Sequence, residues 1–233
     1  MKTDDKAVNC PLRVAVLGSS QVGKSALTVR YLTKRFIGEY RSDTDMLYKC
    51  VLQIDGANHP VEIMDTSATS SDEASDAHLV WAEAFVIVYS VSDRESYFHA
   101  ESTLKELTSR RPTSNILLLG NKSDLGHLRE VEDLEAQSLA FTYAARFTEV
   151  STAECCIAVT DALDSFLKDV KSQRQCSNGH TLSTGSPKQR KLSVSRMLGS
   201  LIGRHSPPPQ HITELIILDK EERSKLVRCS RQI

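Results

Sequence analysis

Eight residues, Gly18-Ser19-Ser20-Gln21-Val22-Gly23-Lys24-Ser25, constrain this chain more than any other stretch. They fit the pattern G-x-x-x-x-G-K-[ST], a loop whose backbone N–H groups close around phosphate oxygens. Such a loop works only between a strand and a helix, and both flanks comply. Leu12-Arg-Val-Ala-Val-Leu17 is a short valine-rich run that reads as a buried strand. The residues from Ala26 to Leu32 read as a helix, whose N-terminus adds the positive end of its dipole to the anion site. In this setting Lys24 would reach the β- and γ-phosphates of a nucleotide, and the Ser25 hydroxyl would meet Mg²⁺.

A phosphate loop does not select a base. Asn121-Lys122-Ser123-Asp124 does, at the end of a second apolar run, Asn115-Ile-Leu-Leu-Leu-Gly120. The Asp124 carboxylate can accept from N1–H and N2–H₂ of guanine, a donor pair that adenine lacks. A site built around such a pair rejects the wrong base strongly, because a buried polar group would be left unpaired. Asn121 and Lys122 would brace the loop and cover the base. An ATP-using phosphotransferase with the same loop is therefore disfavoured.

With both motifs in place, the chain resembles the Ras-type small GTPases, from about Leu12 to about Val170. Val61-Glu-Ile-Met-Asp65-Thr66 looks like the third strand of that family, ending in the aspartate that holds Mg²⁺ through water. Glu149-Val-Ser151-Thr152-Ala153 resembles its last base-contacting loop. The stretch Leu32–Tyr40 and the pair Trp81-Ala82 look most like the branch containing the Ras-related and estrogen-regulated growth inhibitor and the Ras-like 11 and 12 proteins. The resemblance implies an α/β, P-loop GTPase (Ras-like) fold with a mainly parallel six-stranded sheet and helices on both faces. It also implies GTP and GDP as ligands, Mg²⁺ as cofactor, and effector proteins and an exchange factor as partners. The implied nucleotide contacts run through Gly18–Ala26, Asp65, Thr66, Ser67, Ala68, Thr69, Asn121, Lys122, Asp124, Ser151, Thr152 and Ala153.

The departures from the family are as informative. Where its second switch reads Asp-Thr-Ala-Gly-Gln, this chain reads Asp65-Thr66-Ser67-Ala68-Thr69. Ala68 keeps an N–H but has less backbone freedom than glycine. Thr69 stands where a glutamine positions the attacking water and is too short for the usual geometry, which leaves the catalytic residue unassigned. Ser20 replaces a glycine beside the γ-phosphate and crowds the space of an arginine finger, a device worth roughly 10³–10⁵ in rate. In the first switch the Mg²⁺-binding threonine falls on Asp43, with Thr44 one place beyond. Either a one-residue shift brings Thr44 in, or Asp43 presents a like charge to the phosphate.

Strands are expected at Leu12–Leu17, Leu47–Ile54, Val61–Met64, Ala84–Tyr89, Ile116–Gly120 and Phe147–Val150, with a hairpin turn at Asp55-Gly56. Helices are expected near Ser25–Thr33, Ser96–Arg110, Leu134–Ala145 and Thr160–Val170. Ser67–Leu79 has almost no apolar stripe and reads as a loop or mobile segment rather than a helix. Such βα alternation gives a mainly parallel sheet, with the ligand at the C-terminal strand ends.

Past Val170 the composition shifts. Residues 171–233 hold 12 basic and 4 acidic side chains, so the overall net charge of −1 hides a basic tail behind an acidic domain. The expected division is a GTPase domain at 10–170 and a largely disordered tail at 171–233. Val194, Met197, Leu198, Leu201 and Ile202 keep helical spacing, so a short basic amphipathic helix is possible at 191–203, suited to weak contact with anionic membrane. Ile212–Leu218 is β-prone and has no assignment. Cys229 is fifth from the end, one place too early for C-a-a-X, so prenylation is not expected. The six cysteines form no C-x-x-C pairs and read as reduced thiols. There is no secretory h-region and no apolar run long enough for a bilayer. A monomer is expected, cytoplasmic with the nucleus as the alternative, and with no nucleic-acid partner.

Two function classes remain open from sequence. One is a slow GTPase that switches between GTP and GDP forms in signalling. The other is a hydrolysis-deficient GTP-binding scaffold whose tail recruits partners.

Overall fold

The computed structural model describes residues 10–38, 44–67, 76–178 and 215–218. Ala68, Thr69, Asp43, the 191–203 helix candidate and Cys229 lie outside the described residues.

The chain alternates strands and helices. The first half holds β1 (Leu12–Leu17), α1 (Lys24–Thr33), β2 (Met46–Ile54), β3 (Ala57–Asp65), α2 (Asp76–Trp81) and β4 (Ala84–Ser90). Then follow α3 (Arg94–Arg110), β5 (Asn115–Asn121), a 3₁₀ stretch Ser123–Leu128, α4 (Asp133–Thr142), β6 (Arg146–Glu149), α5 (Cys156–Asn178) and β7 (Leu215–Leu218). The sheet order is β6-β5-β4-β1-β3-β2-β7. β1 pairs in parallel with β3 and β4, as do β4 with β5 and β5 with β6; β2 is antiparallel to β3 and to β7. The six expected strands are all present, and the unassigned tail run supplies a seventh.

Alternation along β1 explains the layers. Val14 and Val16 face a core shared with Leu27 and Tyr31 of α1 and with Leu163, Phe166 and Val170 of α5. Ala15 and Leu17 face the opposite core, with Tyr97 and Leu104 of α3 and Ala136 of α4. Every residue of β4 is buried, as a central parallel strand covered on both faces requires. Each fully buried side chain such as Phe85 or Phe166 contributes about 1.5–3 kcal/mol. The β2–β3 hairpin turns at Asp55 (φ 53°) and Gly56 (φ 76°), the two left-handed residues a tight two-residue turn needs.

Two expectations are corrected. The loop reading of Ser67–Leu79 fails over its last residues, because α2 begins at Asp76. Leu79 is buried, and Arg111, at the end of α3, donates to the carbonyls of Leu79 and, at 2.6 Å, of Ala82. Arg110 pairs with Asp76 at the other end. The helix is thus held by partners from α3 rather than by a stripe of its own. The second correction moves the end of the last helix from Val170 to Asn178. The apolar stripe does stop at Val170, but polar tethers continue. Lys171 donates to the Ile54 carbonyl at 3.2 Å, and Arg174 donates to the Cys10 carbonyl at 3.0 Å. Two cations counted with the tail are therefore committed to the domain.

Candidate functional site

The ends of β1, β3 and β5 and the loop after β6 converge on a cleft of about 420 Å³. It is lined by Ser20, Gln21, Gly23–Ala26, Phe36–Gly38, Thr44, Asp65–Ser67, Asn121, Lys122, Asp124, Leu125, Thr152 and Ala153.

The loop between β1 and α1 needs its glycines. Gly18 has φ +139°, and a Cβ there would lie 2.2 Å from the Val88 carbonyl oxygen. Gly23 has φ +98°, and a Cβ would lie 2.3 Å from Nδ2 of Asn121. Both positions combine a left-handed backbone with a close neighbour. Gln21 is also left-handed, at φ 61°. Lys24 is 7% exposed, and its ammonium donates to the carbonyls of Gly18 (2.7 Å) and Ser19 (2.8 Å), spanning the loop from inside. Burial lowers its pKa, against the attraction of Asp65 and Asp45. Val22 packs into the core and Ser20 stands exposed at the cleft wall.

Asp65 ends β3 at 4% exposure. Burial lifts its carboxyl to about 6, although a hydrogen bond with Ser25 and the Lys24 charge pull it down. Its Oδ1 is buried without a hydrogen-bond partner. A buried oxygen without a partner, beside a serine hydroxyl and below a phosphate loop, fits a hard divalent cation such as Mg²⁺. Of the first-switch candidates, Thr44 lines the cleft, its hydroxyl 4.0 Å from the Met46 sulfur.

Asn121 is a structural joint. At 2% exposure it donates from Nδ2 to the Val22 carbonyl (2.8 Å) and accepts through Oδ1 from the Thr152 N–H (3.2 Å) and hydroxyl (2.7 Å). One amide thus ties the phosphate loop to the loop after β6. Lys122 turns through φ 63°, which throws Asp124 outward to an exposed place on the cleft. Ala153 shares that wall, while Ser151 is buried and accepts from the Glu154 N–H at 3.1 Å.

Two of the expected site residues have their polar groups engaged elsewhere. Thr66 donates its hydroxyl to the Val16 carbonyl at 2.8 Å, and Ser67 donates both N–H (2.8 Å) and hydroxyl (2.9 Å) to Asp45. Asp45 was not singled out from sequence. Its second oxygen lies 2.8 Å from Nε2 of His78 on α2, so one carboxylate joins the start of β2, the end of β3 and α2. Burial would raise its pKa, but the hydrogen bonds from His78 and Ser67 hold it well below the usual carboxylate range. Phe36, 45% exposed, was also missed as a lining residue; its signal is an aromatic left at the rim of a cleft.

A glycine-bounded phosphate loop, a buried lysine beneath it and an Asn-Lys-x-Asp joint in one cleft define a P-loop nucleotide-binding protein of the guanine-selecting kind. The Ras family model matches residues 13–172, and the chain belongs to the Ras family of GTP-binding small GTPases. It is 35% identical over 192 residues to the Ras-like protein family member 11B of Xenopus tropicalis, covering 78% of this chain and 74% of that protein. It is 38% identical over 168 residues to the Ras-related and estrogen-regulated growth inhibitor-like protein of Bos taurus, covering 68% and 82%. With the Ras-related and estrogen-regulated growth inhibitor of Bos taurus the identity is 32% over 194 residues, covering 82% and 97%. These similarities support the branch read from sequence. Among the described residues, no helix is long and apolar enough to cross a membrane.

Proposed function

We propose that this protein is a guanine-nucleotide switch that binds GTP and GDP with Mg²⁺, hydrolyses GTP slowly, and signals through effector proteins in its GTP form. The observation that carries the reading is the Asn121 joint. It fixes the Val22 carbonyl of the phosphate loop against Thr152 while presenting Asp124 to the same cleft.

The loop N–H groups and Lys24 hold the phosphates, and Lys24 exchanges its two carbonyl contacts for phosphate oxygens. Asp124 accepts from guanine, and the aliphatic stem of Lys122 and the ring of Phe36 cover the faces of the base. Ser25 and Asp65, with Thr44 or Asp43, would hold Mg²⁺. When bound, Mg²⁺ neutralises charge that develops on the transferred phosphoryl group. Asp65 must be ionised for that, so its raised carboxyl is drawn down by metal binding.

Slow hydrolysis is inferred from side-chain chemistry. Thr69 replaces the water-positioning glutamine, and exposed Ser20 occupies space an arginine finger would need. The same observations favour a second reading, a hydrolysis-deficient GTP-binding scaffold whose tail recruits partners. A cytoplasmic protein, with weak salt-sensitive contact between its basic tail and anionic membrane, is compatible with either reading.

Single-turnover hydrolysis of Mg²⁺·GTP by the purified chain separates the two. A slow but measurable release of phosphate supports the switch, and none above the uncatalysed rate supports the scaffold. Equal affinity for ATP and GTP would overturn both.

A further inference from the structure

β7 lies far along the chain from every other element. It follows α5 only after residues 179–214 and takes the edge of the sheet beside β2. The pairing is antiparallel, with Leu218 opposite Leu47 and Leu215 opposite Cys50. On its other side β2 is already paired with β3 along its whole length, from Met46 to Ile54. Remove β7 and β2 is the outermost strand. An outermost strand offers a row of unpaired N–H and C=O groups to which extended segments of other proteins add.

We propose that β7 is a removable closing strand. It occupies in cis the β2 edge that an extended aliphatic segment of a partner protein would otherwise take, so that tail and partner compete for one row of backbone groups. The length of the pairing supports removability: β7 matches four residues of β2, where β3 matches nine. The sequence supports the occupant chemistry. Leu215-Ile-Ile-Leu218 is an aliphatic, β-prone strand, and the charges of Asp219-Lys-Glu-Glu-Arg223 follow at once, which discourages a further strand from adding beyond it. The register gives the edge a link to the cleft. It starts at Leu47, two residues after Asp45, whose carboxylate holds Ser67 and His78.

Tethering makes so short a strand effective. A covalent tether raises the effective concentration to order mM, enough to occupy an edge that a free four-residue peptide would barely hold. The same magnitude limits the block, since a partner with micromolar affinity for the open edge outcompetes it.

The test uses the full chain, and as probe a fluorescent peptide with the sequence of residues 210–222. In Ile216→Pro/Ile217→Pro, adjacent prolines remove one N–H that faces β2 whichever residue carries it, and neither ring fits the centre of a paired strand. The peptide should bind this variant about tenfold or more tighter than the native chain, as expected when a tethered competitor is lost. Amide exchange at alternate residues of Leu47–Cys50 should accelerate in the variant and slow again with peptide. Equal affinity for both chains, or binding to neither, overturns the proposal. A second measurement does not depend on the variant folding. Native chain titrated to millimolar peptide should show faster exchange at residues 215–218 while β2 stays protected. If exchange at 215–218 is unmoved at saturating peptide, the closing strand is not removable and the proposal fails. GDP affinity measured alongside tests the nucleotide-switch reading separately, because neither exchange result depends on it.

Discussion

Asn121→Ala and Asp124→Ala, three residues apart in one motif, should separate fold support from base recognition. Asn121 is 2% exposed and makes three hydrogen bonds, to Val22 and to the N–H and hydroxyl of Thr152. Truncation leaves all three partners buried. A neutral hydrogen bond is worth about 1 kcal/mol net, and an abandoned buried partner costs about 1–3 kcal/mol. Water entering from the cleft recovers part of this, so the loss should be about 2–4 kcal/mol in nucleotide-free protein. For a chain of this size each kcal/mol lowers Tm by about 2–4 °C, giving a drop of roughly 4–16 °C. Asp124 is exposed, so Asp124→Ala should stay within about 0.5 kcal/mol of the parent. Scanning calorimetry without nucleotide, followed by GDP titration of each variant, gives the readout. Both variants should bind GDP more weakly, but only Asn121→Ala should melt earlier. An unchanged Tm for Asn121→Ala, or an equal drop for Asp124→Ala, would refute the joint.

Three further outcomes are expected. The Asp65 carboxyl titrates near 6 in the fold against 3.8 as a free group, so the folded state holds its proton longer. A raised acid adds stability below pH 3.8, and this is lost as pH rises towards 6, about 3 kcal/mol at 1.36 per pKa unit. Denaturant titrations of metal-free protein from pH 4 to 7 should show that fall and Asp65→Asn should abolish it; matching slopes for the two would count against it. Asp45→Ala should speed amide exchange at Ser67 and across α2 at neutral pH, because three contacts to one carboxylate are lost; unchanged exchange would show that α2 is held from α3 alone. A Cβ at Gly120 would lie 2.7 Å from the Tyr89 hydroxyl, so Gly120→Ala should cost about 1–3 kcal/mol by overpacking. The Tyr89 hydroxyl is buried without a partner, so adding Tyr89→Phe should recover part of that cost in a thermal-melt double-mutant cycle.

What could be read in the sequence was local or periodic. The buried runs of β4 and β5, and of β1 past the exposed Arg13, are apolar stretches, and the phosphate loop and Asp55-Gly56 turn carry their own backbone chemistry. What escaped depends on partners distant in sequence. Nothing within Asp76–Trp81 announces a helix, since Arg110 at the end of α3, Arg111 just past it and Asp45 hold it. The last two turns of α5 carry no apolar stripe, and Lys171 and Arg174 look like tail charges until Ile54 and Cys10 are seen beneath them. Asp45 is one acidic residue among several near it, and its role exists only once β2, β3 and α2 meet. The nucleotide cleft was legible in outline because its motifs are contiguous, whereas the links between its walls were not.

The reach of α5 sets where the chain leaves the domain. The helix starts at Cys156, just past Thr152 and Ala153 on the cleft wall, and ends beyond Arg174, which grips the chain at Cys10 where the first strand begins. At 1.5 Å per residue its 23 residues form a strut about 34 Å long. The chain leaves that strut on the side of the domain away from the cleft and reappears as β7 beside β2, so its two points of attachment lie on different parts of the domain.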